Sequence, residues 1–313
     1  MNISIAPPSF SPAFIGFRTS FLSLIGLLII TGNIISIAVT HSVREIADST
    51  KVLMTSLAIY DLLVGLLTMI FVVTSSALNR WPFGDFMCQT VTALSFTALC
   101  MSGVSLIFLN IERCIAVTRP YRFPVWCSRR RVITLVFVTS SFILTAACVI
   151  PFIFETSFVY INVIATCFYD NSSALVNILV LVFLQIIPII LMSAVYYRLI
   201  KISRGHERRQ NNGHDDANNH YDNKALKTFL AVTLTFSFCF LPVVITRTVQ
   251  AYTSVKIPDW LLCTVYWLSI CNSGFNVFIY CLFNRSYRRT AKKMIVGLLP
   301  CCKGSVAPMN IQL

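Results

Sequence analysis

Seven apolar stretches separated by loops dominate the sequence. They cover residues 21–40, 53–77, 87–118, 132–153, 174–200, 225–248 and 260–283. Because an α-helix rises about 1.5 Å per residue, roughly 20 apolar residues cross the hydrocarbon core of a bilayer. Each stretch is long enough to do so. The pattern therefore predicts an all-α membrane protein, with a seven-transmembrane helix bundle over residues 21–284.

The third stretch has the composition of a helix that faces other helices rather than lipid. Small polar side chains interrupt its apolar residues at Ser95, Ser102 and Ser105, and such residues are typical of helix–helix contacts in membranes. Cys88 and Arg113 lie about 37 Å apart on a continuous helix. We therefore expect them at opposite faces of the membrane.

Composition excludes a soluble protein. Of the 313 residues, 56% are hydrophobic and 12% are charged, and the mean hydropathy is +0.75. A soluble domain of this length could not bury so much apolar surface. In a soluble chain, the formal net charge of +13 would suggest a nucleic-acid partner. In a membrane protein, its interpretation depends on where the charged residues lie along the chain.

The cations lie mainly in the loops that follow odd-numbered stretches and in the C-terminal segment. The opposite face carries Arg18, Arg80, Arg247 and Lys256. By the positive-inside rule, this asymmetry predicts a multi-pass plasma-membrane protein with residues 1–20 outside the cell and the tail, residues 300–313, in the cytoplasm. We interpret the charge as topology and attraction to membrane lipids, not as nucleic-acid binding.

A short amphipathic helix is predicted over residues 285–299. Apolar residues recur there at helical spacing among arginines and lysines, at Tyr287, Ala291, Met294 and Leu298. Such a helix lies on the inner leaflet. Cys301 and Cys302 follow it and are candidates for palmitoylation. The alternative is a plain basic tail with free thiols.

The predicted outer face carries further candidate modifications. Asn2 and Asn171 begin glycosylation sequons, although a three-residue motif also arises by chance. Cys88 and Cys167, the latter in the loop 155–173, both lie on this oxidising side. A disulfide between them would hold the loop across the mouth of the bundle, whereas two unpaired external thiols are the alternative.

Motifs on the seven stretches resemble those of rhodopsin-like (class A) G-protein-coupled receptors. They are Gly32-Asn33, Leu57-Ala58-Ile59-Tyr60-Asp61, Trp81-Pro82-Phe83-Gly84 before Cys88, Glu112-Arg113-Cys114, Pro188 with Tyr196, Phe236-Ser237-Phe238-Cys239-Phe240-Leu241-Pro242, and Asn272-Ser273-Gly274-Phe275-Asn276 with Tyr280. Each motif alone is weak, but the ordered set covers most of the chain. The resemblance implies a receptor in which an extracellular ligand shifts the bundle toward a state that engages a heterotrimeric G protein.

The resemblance also implies an allosteric sodium ion at Asp61. A carboxylate near the bilayer midplane is costly unless it is paired, and oxygen-rich side chains around it suit a hard cation. The expected neighbours are Asn33, Ser102, Asn272, Ser273 and Asn276. A water-filled polar cluster around a protonated Asp61 is the alternative. No cofactor is expected.

An activation switch near the inner face is implied as well. Arg113 would pair with Glu112 and with Asp222 at the foot of the sixth span. Breaking this pairing would free Arg113 and Tyr196 to meet a G protein. Further members of the switch are Phe236, Phe240, Pro242 and Tyr280. A snorkelling arginine at a helix end is the alternative for Arg113.

Several positions depart from the family pattern. Phe240 stands where the family usually has tryptophan, Val277 where it has proline, and Gly103 where it has a bulky aliphatic residue. Ser140 and Ser141 lie where the fourth span usually has tryptophan. Without the proline, the seventh span keeps a backbone hydrogen bond and should kink less. We expect the fold to hold and the energetics of switching to differ.

Two ligand classes are disfavoured. Ser95 stands where amine receptors carry an aspartate, so no carboxylate awaits a ligand ammonium there. Ile270 stands where opsins carry the retinal lysine, so no Schiff base can form. The candidate pocket comprises Ser95, Phe96, Leu99, Gln185, Phe240, Arg247 and Tyr266. This mix fits a small or lipid-like ligand. Arg247 could pair with an acidic ligand group, with Glu155 or Asp259, or face water.

A transporter or channel is the alternative function, although nothing suggests inverted repeats or broken helices. A membrane enzyme is disfavoured because the histidines lie in predicted cytoplasmic loops, where they cannot form a metal cluster or a catalytic triad within the bundle. They are His41, His206, His214 and His220.

Overall fold

The computed structural model describes residues 10–153, 157–170, 216–253 and 255–298, together with single positions between 178 and 201. The helices are α1 (Pro12–Ser42), α2 (Asp48–Leu78), α3 (Gly84–Thr118), α4 (Phe123–Trp126), α5 (Arg129–Ile153), α6 (Asp216–Tyr252), α7 (Asp259–Phe283) and α8 (Arg285–Leu298). The strands are β1 (Ser157–Ile161) and β2 (Thr166–Asp170).

Six helices within the described ranges are long and apolar enough to cross a membrane, namely α1, α2, α3, α5, α6 and α7. The fifth predicted stretch, 174–200, lies outside the described residues except for single positions. The helix predicted after the last span is present as α8, which buries Tyr287 and Ala291. These observations confirm the predicted all-α class.

The first helix begins well before the first apolar stretch. The Ser11 side chain accepts a hydrogen bond from the backbone N–H of Phe14 at 3.3 Å, and Pro12 occupies the first helical position. A serine N-cap followed by proline favours the start of a helix. Hydropathy did not reveal this start because Arg18 interrupts the apolar run.

The middle of α2 contains a turn of π-helix, Val64–Thr68. A Cβ atom at Gly65 would lie 2.8 Å from Cγ1 of Ile30. Glycine therefore permits the close approach of α1 and α2 at this point.

The segment after α5 forms an antiparallel hairpin that we did not predict. Its strands pair from Ser157 with Asp170 to Ile161 with Thr166. A 3₁₀ turn, Asn162–Ile164, and Ala165, with φ of 57°, connect them. The aromatic and β-branched residues of both strands are typical of β-structure. The hairpin marks one end of the bundle, called here the hairpin face, and α8 marks the opposite end, the α8 face.

Two groups of buried apolar side chains fill the bundle. The α8-face cluster includes Leu53, Leu57, Leu109, Phe236, Tyr280 and Tyr287. The hairpin-face cluster includes Leu22, Met69, Val163, Ile164, Tyr266 and Ile270. Because Val163 and Ile164 belong to the hairpin turn, the hairpin contributes to the interior of the protein as well as covering it.

Candidate functional site

Asp61, on α2, lies in a buried polar site that also involves α3 and α7. Its Oδ2 atom accepts a hydrogen bond from Nδ2 of Asn276 at 2.7 Å. The hydroxyls of Ser102 and Ser273 lie close to the same carboxylate. Asn272 is buried on the same helix as Ser273, and all five residues are at most 3% exposed. The structure thus brings Ser102, Ser273 and Asn276 to the carboxylate of Asp61, with Asn272 buried beside Ser273 on α7.

Several oxygen atoms of this site have no hydrogen-bond partner among the described residues. They are Asp61 Oδ1, Ser102 Oγ, Asn272 Oδ1 and Ser273 Oγ. Since buried polar atoms normally have a partner, these oxygens are available to a cation or to water. Carboxylate, hydroxyl and amide oxygens are the ligands that a hard cation prefers, so the donor set fits sodium.

Asn33, also expected near Asp61, makes different contacts. Its Nδ2 atom donates to the carbonyl oxygens of Ile29 and Ser273, each at 2.9 Å. Asn33 therefore ties α1 to the backbone of α7, next to the Asp61 site. This hydrogen bond helps to fix the position of Ser273.

Glu112 and Arg113 form an ion pair at the α8 face, with 3.2 Å between Oε2 and Nε. Glu112 is buried, and its Oε1 atom accepts hydrogen bonds from the hydroxyls of Ser49 and Thr50, each at 2.7 Å. Arg113 donates to the Thr50 hydroxyl at 2.5 Å. The N-terminal turn of α2 therefore holds both members of the pair on α3. Asp222 lies in α6, but its side chain falls outside the described part of the structure.

Two tyrosines connect α7 with α8 and α1. The rings of Tyr280 and Tyr287 lie 5.5 Å apart, and the Tyr287 hydroxyl donates to Oγ of Ser36 at 2.8 Å. Burial raises the pKa of Tyr287 to about 12, so this hydroxyl remains a donor at neutral pH. Tyr196 is a single described position in the fifth stretch, where it is helical and half-buried.

The predicted switch residues of α6 stack on each other. The rings of Phe236 and Phe240 lie 4.7 Å apart at 24°, ahead of Pro242 within the same helix. A Cβ atom at Gly103 would lie 2.8 Å from Cζ of Phe236. The ring thus occupies the space that a larger residue at position 103 would need. Glycine at position 103 therefore allows Phe236 to lie where it does.

The other departures also have structural counterparts. Helix α7 runs unbroken through Val277. On α5, the hydroxyl of Ser140 shares a hydrogen bond with that of Tyr60 on α2. This polar contact joins α2 and α5 where the family usually has tryptophan.

The hairpin brings two predicted ligand residues together. The guanidinium carbon of Arg247 lies 3.9 Å from the ring centre of Phe168, and the same ring meets Tyr266 edge-on at 5.9 Å. Arg247 also donates to Oε1 of Gln250 at 3.3 Å. A cation over an aromatic face is attracted by the ring quadrupole. Phe168 therefore belongs to the candidate pocket, although sequence reasoning missed it because the hairpin was not predicted.

On the α3 side of the candidate pocket, the contact is with Tyr169, the residue of β2 that follows Phe168. Phe96 lies edge-on to Tyr169 at 5.9 Å, and the Tyr169 hydroxyl donates to the carbonyl of Ala147 at 3.2 Å. Burial raises the pKa of Tyr169, which keeps that hydroxyl protonated. Ser95 shares a hydrogen bond with the Thr68 hydroxyl at 2.6 Å, so it is tied to α2.

The remaining predicted residues are one of the candidate pocket on α3 and several that the structure does not describe. Leu99 is half-buried on α3. Gln185 and the candidate modification sites, Asn2, Asn171, Cys301 and Cys302, lie outside the described residues.

A disulfide joins Cys88 on α3 to Cys167 on β2, with 5.5 Å between the Cα atoms. The predicted bridge is confirmed, and the alternative of two unpaired thiols is wrong. Because Cys167 immediately precedes Phe168 and Tyr169, the bridge fixes the strand that presents both rings to the candidate pocket.

Arg18 is the buried residue whose role we did not foresee. We expected a cation at the outer face, but the side chain is 0% exposed. It donates hydrogen bonds to Ser76 of α2 and to the hairpin turn. Its partners lie far away in sequence, and no local pattern signals them.

The family model described as "7 transmembrane receptor (rhodopsin family)" matches residues 32–280. The chain belongs to the rhodopsin family of seven-transmembrane receptors. The matched range covers the fifth stretch and includes all or part of each of the six described membrane-length helices. The resemblance inferred from the motifs is therefore confirmed, and so is the seven-helix bundle.

Rhodopsin-family relatives differ in the ligands for which they are named. The histamine H2 receptor of Canis lupus familiaris is 30% identical, over 87% of this chain and 77% of the relative. The melatonin receptor type 1A of Mus musculus is 25% identical, over 92% and 82%. The tachykinin-like peptides receptor 99D of Drosophila melanogaster is 24% identical, over 84% and 54%, so the chain spans about half of that relative. These likenesses do not select a ligand class.

Membership of the rhodopsin family makes this chain a multi-pass membrane receptor that signals through G proteins. The relatives named above are receptors rather than enzymes. The alternative function of a transporter or channel finds no support in these comparisons.

Proposed function

We propose that this receptor binds a small or lipid-like extracellular ligand beneath the hairpin and relays binding to a heterotrimeric G protein at the α8 face. In this proposal the hairpin face lies outside the cell, as the distribution of cations predicts. The contact between Arg247 and Phe168 carries the proposal, because it joins the predicted cation to an aromatic wall that includes Tyr266. A mainly aromatic site with few polar groups suits such a ligand.

The ligand is proposed to carry an acidic group that pairs with Arg247. A guanidinium can bind a carboxylate or a phosphate through two parallel hydrogen bonds. At the α3 side, Ser95 is neutral and is tied to Thr68, so an ammonium group would find no carboxylate there. This argues against a ligand held in that way, although relatives include a histamine receptor.

The experiment uses cells that express the receptor with a promiscuous G protein, challenged with acidic lipids and their neutral amide or ester analogues. A hydrogen bond to a charged group contributes roughly 1.5–3 kcal/mol. Arg247→Gln should therefore weaken the potency of an acidic agonist by about ten- to a hundredfold and leave its neutral analogue nearly unchanged.

Lys256→Gln is the matched control, because Lys256 is an exposed cation at the same face. Its replacement should leave both potencies unchanged. Equal losses for the acidic and neutral agonists in Arg247→Gln would remove the arginine from ligand recognition.

A sodium ion is proposed at Asp61 as an allosteric ligand of the resting state. Asp61, Ser102, Asn272 and Ser273 would hold it through the oxygen atoms that have no partner among the described residues. The ion would supply the positive charge that a buried carboxylate requires. At the α8 face, the Glu112–Arg113 pair is proposed as the resting lock, with Asp222 as the further partner that the family pattern implies.

A further inference from the structure

The hairpin turn lies inside the bundle rather than over it. Ile164 and Ala165 are 1% and 0% exposed. Together with Val163 they pack in the hairpin-face cluster among side chains of α1, α2, α6 and α7, including Leu22, Met69 and Leu262. The receptor's own chain therefore fills part of the space between helices at the end where its ligand is proposed to enter.

Arg18 bonds this turn to α1 and α2 through every N–H group of its guanidinium. Nη1 donates to the carbonyl oxygens of Asn162 at 2.6 Å and Val163 at 3.5 Å. Nη2 donates to the carbonyl of Ser76 at 3.0 Å and to Oδ1 of Asn79 at 3.2 Å, while Nε donates to Oγ of Ser76 at 2.9 Å. The five donors thus have five acceptors, three of them backbone carbonyls.

The acceptors of Arg18 are all neutral, and within the described residues no carboxylate forms an ion pair with it. The rings of Phe10 and Phe14 each lie 5.6 Å from the guanidinium carbon and shield the charge on the remaining side. A buried charge without an ionic partner is tolerated only where hydrogen bonds satisfy it fully. Withdrawal of the turn would leave Nη1 without its acceptors, so the position of the turn and the burial of Arg18 depend on each other.

Two anchors on different helices hold the hairpin. The disulfide at Cys167 fixes β2 to α3, and Arg18 fixes the turn to α1 and to the end of α2. Tyr160 on β1 lies close to the second anchor, and its hydroxyl donates to the carbonyl of Ser75 at 3.4 Å. Burial raises the pKa of Tyr160 to about 12, with the positive charge of Arg18 acting in the opposite direction.

The turn covers a free thiol of α7. The Cys263 thiol donates to the carbonyl of Val163 at 3.2 Å and is 5% exposed. The carbonyl that receives this hydrogen bond also receives one from Arg18. The accessibility of Cys263 therefore reports whether the turn is in place.

We propose that Arg18 is the positioning residue that seats residues 162–165 as a fixed plug in the α1–α2–α7 half of the hairpin face. The plug confines a ligand to the space beside it, where Phe96 of α3, Phe168 of β2 and Arg247 of α6 lie. This confinement of the ligand rests on the proposed function, whereas the seating of the plug does not.

The experiment measures the reaction of Cys263 with a negatively charged, membrane-impermeant methanethiosulfonate applied to intact cells. The exposed Cys148 near the same face is replaced by serine in every variant. With the plug seated, Cys263 should react slowly. Arg18→Met removes the guanidinium but keeps an unbranched apolar stem, and the rate should rise by about tenfold or more because local opening of the turn becomes easier. Adding Cys263→Ser should abolish the extra labelling.

Arg80→Met is the matched control, since Arg80 is an exposed arginine at the same face and its loss should leave the rate unchanged. If Arg18→Met does not reach the cell surface, Ser76→Ala combined with Asn79→Gly removes two acceptors and keeps the left-handed backbone of Asn79, with φ of 51°. Fast labelling with Arg18 intact, or unchanged protection in a surface-expressed variant, would overturn the plug. Because no agonist is needed, failure of the proposed ligand site would not affect this result.

Discussion

Each end of the bundle holds an arginine, and it does so in a different way. At the hairpin face, Arg18 bonds to neutral acceptors that include three backbone carbonyls. At the α8 face, Arg113 pairs with the carboxylate of Glu112 and bonds to the hydroxyl of Thr50. Movement of the hairpin turn would break the two contacts of Arg18 to Asn162 and Val163. The contacts of Arg113 involve side chains, which can change partners by rotation about their own bonds.

From this difference we infer which end of the receptor moves when its state changes. The hairpin face is fixed by the disulfide and by hydrogen bonds to the backbone of the turn. The α8 face is joined by contacts between side chains, including the hydrogen bond of Tyr287 to Ser36. A population shift requires an element with two arrangements. We infer that the α8 face carries most of that rearrangement and that the hairpin face supplies a fixed frame for the ligand.

The largest expected effect comes from Gly103→Leu, which faces Phe236 of the α8-face cluster. The new Cβ would lie 2.8 Å from Cζ of Phe236, so the ring must move. Overpacking of this kind costs roughly 1–3 kcal/mol. Thermal unfolding of the purified receptor should therefore begin at lower temperature, while the protection of Cys263 at the hairpin face should not change.

Gly16→Leu serves as the control for Gly103→Leu, because a Cβ atom at Gly16 meets nothing within 4 Å. Phe236→Leu, added to Gly103→Leu, should recover most of the lost stability because it removes the ring from the contact. Equal stability of Gly103→Leu and the unmodified receptor would show that the ring has room to move. Increased labelling of Cys263 would show that the two ends are coupled.

The parts predicted from the sequence are those that depend on local patterns. Long apolar runs located the membrane helices, and helical spacing located α8 and its buried Tyr287. The buried position of the hairpin turn could not be predicted. The main-chain acceptors of Arg18 belong to residues 58 and 144 or more positions away. Every residue has a carbonyl oxygen, so the sequence does not show which carbonyls accept these hydrogen bonds. The aromatic and β-branched residues of β1 and β2 were the available signal for the hairpin.

The Asp61 site was predicted from the motifs, but its details needed the helix packing. The sequence identified Asp61 and Asn276, which form the observed hydrogen bond. It did not show that Asn33 would bond to the carbonyl of Ser273, because the rotation of α1 about its axis decides which partner that amide reaches.

Sodium binding at Asp61, between the two ends of the bundle, should change the stability of the receptor by an intermediate amount. For a single site, a sodium concentration about ten times the dissociation constant would add roughly 1.4 kcal/mol to the free energy of unfolding. The purified receptor should therefore unfold at higher temperature in sodium chloride than in choline chloride at equal ionic strength. Asp61→Asn should abolish the difference, because it removes the charge that attracts the ion.

Asn33→Ala is the control for Asp61→Asn, since Asn33 contacts the site through the backbone of Ser273 rather than through the carboxylate. It should lower stability in both salts and keep the difference between them. Identical unfolding temperatures of the unmodified receptor in the two salts would leave water as the occupant of the site.

The smallest expected effect is that of Tyr287→Phe at the α8 face. The substitution removes the donor to Oγ of Ser36, found at 2.8 Å, and a hydrogen bond of this kind contributes about 0.5–1.5 kcal/mol. Ser36→Ala should cost a similar amount. The double variant should cost little more than either single one, because both substitutions remove the same bond.

The pH dependence of stability separates this hydrogen bond from the packing of the ring. The folded-state pKa of Tyr287 is raised to about 12, above the value of about 10 for an unfolded tyrosine. The group's contribution is therefore complete below pH ~10 and is lost as the pH rises toward about 12, since the unfolded chain ionises first. Unfolding measured at pH 8 and at pH 11 should show a smaller loss of stability in Tyr287→Phe than in the unmodified receptor. Tyr121→Phe, at a position that is 97% exposed, should retain the full loss, and equal pH dependence of the two variants would contradict the role assigned to the buried hydroxyl.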